Sequence, residues 1–278
     1  MTNNRSVRQT EKKIDRIYAE GEVKKAGYVM PSHHCHPYFE LFYIESGACR
    51  FFIENNMHDI HSGDFLLIPP QVLHYTRYSF GDCKRSIVFF REDDIREPVK
   101  QLLPRQTDFF SEMRIFQVPE AHREQIAALL SRMVKEEKIG DERSSLMLQI
   151  LLQELFLLCS RECRFPQDMP VNIHTTDQQI VQAAQFISSH YMESITMADI
   201  AEAAGYSPNY LSRKFREAAG IGVHEYLVFI RLQHAALELI TTDDSITEIA
   251  LRCGFSDSNY FKDAFKKRYG VTPRAYRK

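Results

Sequence analysis

The sequence has little that would place the protein in a membrane or outside the cell. Its longest apolar stretch, residues 146–159, is interrupted by Gln149, Gln153 and Glu154, so it is too short and too polar to span a bilayer. The first residues lack the apolar core of a signal peptide. The six cysteines show no regular spacing, which fits a reducing cytosol rather than a disulfide framework. These absences predict a cytoplasmic protein with no membrane partner.

A large net charge is missing as well. The 278 residues contain 35 basic and 37 acidic side chains, for a formal net charge of −2, and 44% of them are hydrophobic. This composition is typical of an ordinary folded protein, and the length is enough for two domains. Any binding to nucleic acid should therefore be local and specific rather than a general affinity for polyanions.

One helix-turn-helix pattern occurs twice near the C-terminus. The repeated positions are Ala201, Gly205 and Ser207 in the first copy and Ala250, Gly254 and Ser256 in the second. The small residue lets two helices cross closely, the glycine supplies a left-handed turn, and the serine is expected to cap the next helix. Two such units in tandem predict binding to double-stranded DNA. The alternative, a helical bundle with an ordinary polar surface, does not explain the repeat.

The second helix of each unit separates a core face from a face that can reach DNA. Leu211 and Phe215 share one face in the first unit, as Phe261 and Phe265 do in the second. The outward residues are Asn209, Ser212, Arg213 and Arg216 in the first unit and Ser258, Asn259, Lys262 and Lys266 in the second. Side chains of these types read base edges and bind phosphates in the major groove.

Residues 223–240 lie between the two units and show apolar positions at helical spacing, with no Gly or Pro. A helix of that length extends about 27 Å. Successive major grooves on one face of DNA are about 34 Å apart. The sequence therefore predicts that one rigid helix places the two reading helices in adjacent major grooves.

The segment from about residue 176 to the end resembles the DNA-binding domain of the AraC/XylS family of bacterial regulators. The resemblance is carried by residues 205–215, 254–261, 265–270 and 272–277. It implies seven helices, and base contacts near Asn209, Ser212 and Arg213 and near Ser258, Asn259 and Lys262. Asp263 departs from the polar or basic residue that relatives often have there. RNA polymerase would be a further partner if the protein is an activator.

Two prolines and several polar residues separate the two halves of the chain. We therefore expect an effector-binding and dimerisation domain over residues 1–165, a linker over 166–176 and the DNA-binding domain over 177–278.

The first half contains short apolar or aromatic runs at residues 41–44, 49–53, 64–68 and 86–90, separated by turn signals. This pattern predicts an antiparallel sandwich or barrel. The fold class is thus α+β in two domains, with a β domain that carries a helical pair and an all-α domain that carries both helix-turn-helix units.

Polar side chains stand out just before the first of these runs. His34, His36 and Glu40 have the same parity, so an extended strand would point all three to one face, provided no bulge intervenes.

These residues belong to two stretches that resemble the paired cupin motifs. The matching residues are His34, His36, Glu40 and Gly47 in the first stretch and Gly63, Pro69 and His74 in the second. Gln71 and Tyr78 depart from the glycine and asparagine of the pattern. The resemblance implies a cupin-like barrel with His34, His36, Glu40 and His74 in its mouth.

Three uses of this cluster remain open. An effector pocket would be formed by His34, His36, Tyr38, Glu40 and His74, and the resemblance alone suggests a carbohydrate effector. A divalent transition metal would be held by the three histidines and Glu40. A metal-dependent cupin enzyme or a metal sensor fused to a DNA-binding domain is the alternative. We expect no enzymatic activity, because no separate acid–base set is visible.

Residues 121–163 return to a helical pattern. Residues 146–159 are apolar on nearly every side, so this helix should be buried on every side. The β domain can cover one face and a second subunit another. The resemblance implies a homodimer formed through this helical pair, and the alternative is a hairpin packed within one chain.

Overall fold

The chain divides into two compact units, Met1–Asn172 and Ile173–Lys278. The computed structural model describes residues 16–31, 33–53, 55–104, 109–165 and 178–277. The expected linker, residues 166–176, lies outside the described residues.

The described part of the first unit contains eight strands in two antiparallel sheets. The five-stranded sheet has the order β1 (Tyr18–Lys24), β7 (Cys83–Phe90), β2 (Phe39–Ser46), β5 (Asp64–Ile68) and β8 (Arg114–Gln117). The three-stranded sheet has the order β4 (Asn56–His61), β3 (Ala48–Ile53) and β6 (His74–Arg77). The antiparallel architecture predicted for this half is confirmed.

The four predicted runs are the interior strands β2, β3, β5 and β7. The four strands that the apolar pattern missed, β1, β4, β6 and β8, are the edges of the two sheets. An edge strand pairs on one side only and can carry more polar residues, so its apolar signal is weak. The sequence of β1, for example, is Tyr-Ala-Glu-Gly-Glu-Val-Lys.

Alternate residues of the interior strands are buried in two different hydrophobic cores. On β2, Phe42 and Ile44 face the core between the sheets. Leu41 and Tyr43 face the opposite side, where helices cover the five-stranded sheet. This sheet is therefore buried on both faces, which explains why β2 is apolar over most of its length.

The helices of the first unit are α1 (Glu97–Lys100), α2 (Glu120–Ile139) and α3 (Ser144–Glu162), preceded by a 3₁₀ turn at Glu92–Asp94. α2 packs against α3 and against β1. Leu130 of α2 and Phe156 of α3 are buried in the core on the outer face of the sheet. The predicted helical pair is confirmed.

The expectation that α3 is buried on every side is wrong for the single chain. Leu146 is 57% exposed, Ile150 51% and Leu157 40%. The groove along this stripe has a volume of about 360 Å³ and is lined by Ile150, Gln153, Glu154, Leu157, Leu158 and Arg161. One sheet and one neighbouring helix can cover only part of a helix that is apolar all round, so an apolar stripe is left on its outer face.

The described part of the second unit is entirely helical and has the seven helices that the family resemblance implied. They are α4 (Gln178–His190), α5 (Met197–Ala203), α6 (Pro208–Ala219), α7 (Val223–Thr241), α8 (Ile246–Arg252), α9 (Ser258–Tyr269) and α10 (Pro273–Tyr276). α5 with α6 and α8 with α9 are the two helix-turn-helix units, and α7 is the predicted connecting helix. None of the described helices is both long enough and apolar enough to cross a bilayer.

Candidate functional site

Four polar side chains of the first unit meet at one point. One ligand atom from each of His34, His36, Glu40 and His74 lies within 4.8 Å of the others. Glu40 Oε2 is 2.9 Å from His36 Nε2 and 3.3 Å from His74 Nε2, and His74 Nε2 is 3.0 Å from His34 Nε2. The structure thus brings together the four residues that the sequence singled out.

The chain does so by a different route from the one expected. The prediction that His34, His36 and Glu40 share one face of an extended strand is wrong. His34 forms an isolated antiparallel bridge with His74 of the three-stranded sheet, His36 lies in the following loop, and Glu40 is in β2. A bend at Pro37 and Tyr38 carries the chain from one sheet to the other. The cluster therefore lies between the two sheets rather than on one face of a strand.

Backbone carbonyls orient two of the imidazoles. His36 Nδ1 is 2.9 Å from the carbonyl oxygen of Tyr38, and His74 Nδ1 is 3.0 Å from that of Val72. A carbonyl can only accept, so each Nδ1 must carry the proton. In a neutral ring the Nε2 atom therefore presents a lone pair, and only a protonated ring donates from Nε2 to Glu40. A histidine that donates from Nδ1 to a backbone carbonyl and leaves Nε2 for a ligand is typical of metal sites.

Burial and hydrogen bonding together set the electrostatics of the cluster. Burial alone would raise the pKa of Glu40, but hydrogen bonds from His36 and His74 and their charges hold its pKa well below the usual range. Burial and the neighbouring charge of His74 keep the pKa of His34 well below the usual range. The site therefore combines an ionised carboxylate with a neutral imidazole, and that pair can accept hydrogen bonds or bind a cation.

Tyr38, the fifth residue of the expected pocket, is buried next to the cluster, and its ring stacks on His36 with the centroids 6.5 Å apart. Gln71, which replaces a glycine of the cupin pattern, has a φ of 64°. The position therefore requires the left-handed conformation that glycine adopts most easily. Cys35 points to Gln71, with Sγ 3.4 Å from Oε1, and belongs to no described metal-binding group.

The sequence reading missed a buried arginine between the sheets. Arg85 of β7 donates to Glu20 and Glu22 of the edge strand β1 at 3.2 and 3.0 Å. Its Nε and Nη1 have no hydrogen-bond partner among the described residues, and the guanidinium lies over the ring of Phe42. The alternation of Cys83, Arg85 and Ile87 along an inward face was the available signal.

The predicted core faces of α6 and α9 are buried, and most of the candidate DNA-binding residues are exposed. Leu211, Phe215, Phe261 and Phe265 are fully buried, which confirms the core faces of α6 and α9. The exposed residues are Asn209, Ser212, Arg213, Arg216, Asn259, Lys262 and Lys266, and Ser258 is half-buried at the start of α9.

Two of the exposed arginines have neighbours within the chain. The guanidinium of Arg213 is 5.3 Å from the centroid of the Tyr210 ring. Arg216 Nη2 is 3.6 Å from an oxygen of Glu225, and that same oxygen accepts from the backbone N–H of Gly222. Arg216 therefore shares its carboxylate partner with the start of α7.

The turns confirm the expected glycine geometry but correct one cap. Gly205 and Gly254 have φ values of 67° and 84°. Ser207 is the N-cap residue of α6, although its side chain makes no cap hydrogen bond. In the second unit the N-cap is Asp257, whose side chain accepts from the backbone of Asn259, so the prediction for Ser256 is wrong. The extra residue of the second copy explains the shift.

Comparison with known sequences connects both units to regulators. The AraC-like ligand binding domain family matches residues 21–156, and the helix-turn-helix domain family matches residues 200–278. An HTH-type transcriptional regulator of Staphylococcus aureus (strain COL) is 27% identical over 84% of this chain and 31% of that protein. The chain thus spans about a third of the length of this relative. The transcriptional activator RhaS of Enterobacter sp. (strain 638) is 24% identical over 89% of this chain and 87% of RhaS.

Two similar solved structures cover very different shares of the chain. The C-terminal domain of AraT, a response regulator from Geobacillus stearothermophilus, has 37% sequence identity, covers 37% of this chain and 87% of its own, and gives a TM-score of 0.36. ToxT from Vibrio cholerae has 17% identity, covers 94% of this chain and 97% of its own, and gives a TM-score of 0.37. The two family matches, together with RhaS as a relative matched over most of its length, show that the chain belongs to the AraC family of transcription regulators, with an AraC-like ligand binding domain ahead of its helix-turn-helix domain.

Proposed function

We propose that a small-molecule effector binds at the cluster of His34, His36, Tyr38, Glu40 and His74 and thereby changes how the helix-turn-helix domain binds DNA. The observation that carries this proposal is the convergence of buried polar groups at one point between the sheets. Buried polar groups are normally satisfied within the protein, and a group of them that can still accept hydrogen bonds is typical of a ligand site.

The chemistry of the cluster favours an uncharged ligand rich in hydroxyl groups, such as a carbohydrate. The ionised Glu40 accepts hydrogen bonds, and imidazoles can donate or accept them. The ring of Tyr38 stacks on His36 beside these groups. A carboxylate effector would meet the negative charge of Glu40.

Thermal unfolding in the presence of a panel of monosaccharides tests this site. At least one sugar should raise the Tm of the wild-type protein and change its DNA affinity, and His36→Ala should abolish both effects while it leaves basal DNA binding intact. His61→Ala, at a largely exposed histidine outside the cluster, is the control. A sugar that acts equally on the wild type and His36→Ala would show that the effector binds elsewhere.

The second candidate is a divalent transition metal in the same cluster. Adjacent ligands of one such ion lie about 3 Å apart when each is about 2.1 Å from the metal, which suits the distances of 2.9, 3.0 and 3.3 Å found here. The carbonyl-bound Nδ1 atoms direct the Nε2 lone pairs inward. The ion would be held by His34, His36, Glu40 and His74. It would either organise the site for an effector or be the signal that the protein senses.

Elemental analysis of purified protein distinguishes the two candidates. A metal site predicts about one equivalent per chain, and chelation should reproduce the effect of His36→Ala. Metal-free protein that keeps its full effector response would exclude the metal.

We further propose that the protein is a regulator without catalytic activity and that residues 1–165 form the sensor, 166–176 the linker and 177–278 the DNA-binding domain. Turnover of a metabolite by residues 1–165 would instead support a cupin enzyme.

We also propose a homodimer in which the exposed stripe of α3 packs against its counterpart in a second chain. The support is the stripe itself, formed by Leu146, Ile150 and Leu157. Ile150→Glu should shift the protein to monomer in sedimentation experiments, whereas Leu237→Glu, at an equally exposed leucine of α7, should not. RNA polymerase would be a partner if the protein activates transcription.

A further inference from the structure

Arg231 of α7 binds the segment that leads into the first helix-turn-helix unit. Its Nε donates to the carbonyl oxygen of Tyr191 at 2.7 Å, and its Nη2 donates to that of Glu193 at 2.7 Å. Both carbonyls belong to residues 191–196, which connect α4 to α5. The planar guanidinium carries several N–H donors in a fixed arrangement, so it can bind two carbonyls at once. A lysine ammonium lacks this fixed arrangement of donors.

The same guanidinium also contacts the turn of the second unit. A Cβ atom added to Gly254 would lie 2.5 Å from the Tyr191 carbonyl oxygen and 2.8 Å from Arg231 Nε. At the equivalent Gly205, an added Cβ would meet nothing within 4 Å. The turn of the second helix-turn-helix unit is therefore packed against Arg231 and the α4–α5 connection, whereas the turn of the first helix-turn-helix unit is not.

A ring contact holds this connection from a further side. The Tyr191 ring stacks on the His234 ring of α7, with the centroids 4.1 Å apart and the planes 8° from parallel. Arg231 and His234 are three residues apart on α7 and lie on one face of the helix. Two side chains of α7, Arg231 and His234, thus contact the segment that precedes the first helix-turn-helix unit. One of them, Arg231, also packs against the turn of the second helix-turn-helix unit.

We propose that Arg231 is a positioning residue that sets the distance and rotation between α6 and α9, and thereby the spacing of the two DNA sites that the protein accepts. Two linked binding modules gain affinity when their link matches the separation of their sites. A rigid link penalises a mismatch, and one inserted base pair rotates the second site by about a tenth of a helical turn. The inference rests on both units contacting DNA.

The test uses the full chain and a DNA fragment selected by the wild-type protein from random-sequence oligonucleotides. The Kd is measured for this fragment and for versions with one base pair inserted or deleted between the two protected grooves. The wild type should discriminate against both altered spacings. In Arg231→Met the ratio of the Kd values for altered and original spacing should fall by about threefold or more.

Tyr269→Phe is the matched control, because it removes a hydrogen bond from α9 to the Leu232 carbonyl of α7 without touching the α4–α5 connection. It should weaken the fold and keep the wild-type ratio. Arg231→Lys keeps the charge and serves as the test variant should Arg231→Met fail to fold. A folded Arg231 variant with the wild-type ratio would overturn the proposal even if its overall affinity fell. A wild type indifferent to spacing would show instead that only one unit contacts DNA.

Discussion

The two turn glycines occupy equivalent positions in the repeat but have different surroundings. Both adopt the left-handed conformation, which a residue with a side chain adopts at a penalty of about 1 kcal/mol or more. Only at Gly254 would an added Cβ also meet backbone, at 2.5 Å from the Tyr191 carbonyl oxygen. The repeat in the sequence does not reveal this difference, because the contacting residues come from the α4–α5 connection and from α7.

We therefore expect Gly254→Ala to lower the free energy of unfolding of the C-terminal unit, residues 173–278, by about 1–3 kcal/mol more than Gly205→Ala does. Both variants share the backbone penalty, so their difference isolates the clash. Urea denaturation followed by circular dichroism at 222 nm measures it, and this signal suits a chain that has no tryptophan. Equal destabilisation by the two variants would mean that the α4–α5 connection moves aside freely.

His58 of β4 is a second residue whose surroundings decide its chemistry. Burial lowers its pKa to about 4, and its Nε2 has no hydrogen-bond partner among the described residues. The unfolded chain binds a proton at His58 below its ordinary pKa of about 6.5, whereas the folded chain does so only below about 4. The folded state therefore loses stability as the pH falls from about 6.5 to 4.

The expected contribution of His58 to this loss is on the order of 3 kcal/mol at pH 4, from the shift between the two pKa values. His58→Asn should flatten the pH dependence of the stability of the first unit in that window. Denaturation curves at pH 7, 5.5 and 4 provide the measurement. His61→Asn, at the exposed histidine of the same strand, is the control. A pH profile identical in the wild type and His58→Asn would contradict the assignment.

Among the elements, α6 and α9 are built alike but present different outward residues. Arg213 is well exposed in the middle of α6, whereas Lys266 is exposed near the end of α9 beside Lys267 and Arg268. A side chain near the middle of a reading helix can reach a base edge, and a basic side chain at its end more often meets phosphate.

Arg213→Ala should weaken binding to the selected DNA site by about 1–3 kcal/mol and leave non-specific binding nearly unchanged. Lys266→Ala should weaken binding to all sequences alike and reduce the slope of log K against log salt by about one unit. Fluorescence anisotropy at several salt concentrations separates the two effects. Unchanged affinity in both variants would remove the assignment of the reading faces.

At the scale of the whole molecule, the two units have separate hydrophobic cores. The helices of the second unit bury Leu232, Phe261 and Phe265 in a cluster that includes no residue of the first unit. A unit with its own core can in principle fold alone.

Residues 173–278 should therefore fold alone as a monomer and protect two adjacent major grooves, because α7 is 19 residues and about 28 Å long. Sedimentation and a hydroxyl-radical footprint on the selected DNA measure these two properties. Protection of one groove only would show that the second helix-turn-helix unit does not contact DNA.

Features that depend on local pattern could be predicted from the amino-acid sequence. The glycine turns, the core pairs of α6 and α9, the length of α7 and the interior strands all follow from periodicity and turn chemistry within short windows. The identity of the four clustered polar residues was also readable, through spacing that matches a known motif.

How distant segments of the chain meet became clear only from the three-dimensional fold. His34 and Glu40 converge because a bend carries the chain between two sheets, not because they share a strand. Four other features depend on partners far away in sequence. They are the edge strands, the exposed stripe of α3, the pairing of Arg85 with Glu20 and Glu22, and the contact of Arg231 with Tyr191. Local pattern carries no information about such partners, because burial and hydrogen bonding at these positions are set by whichever segment the complete fold brings alongside.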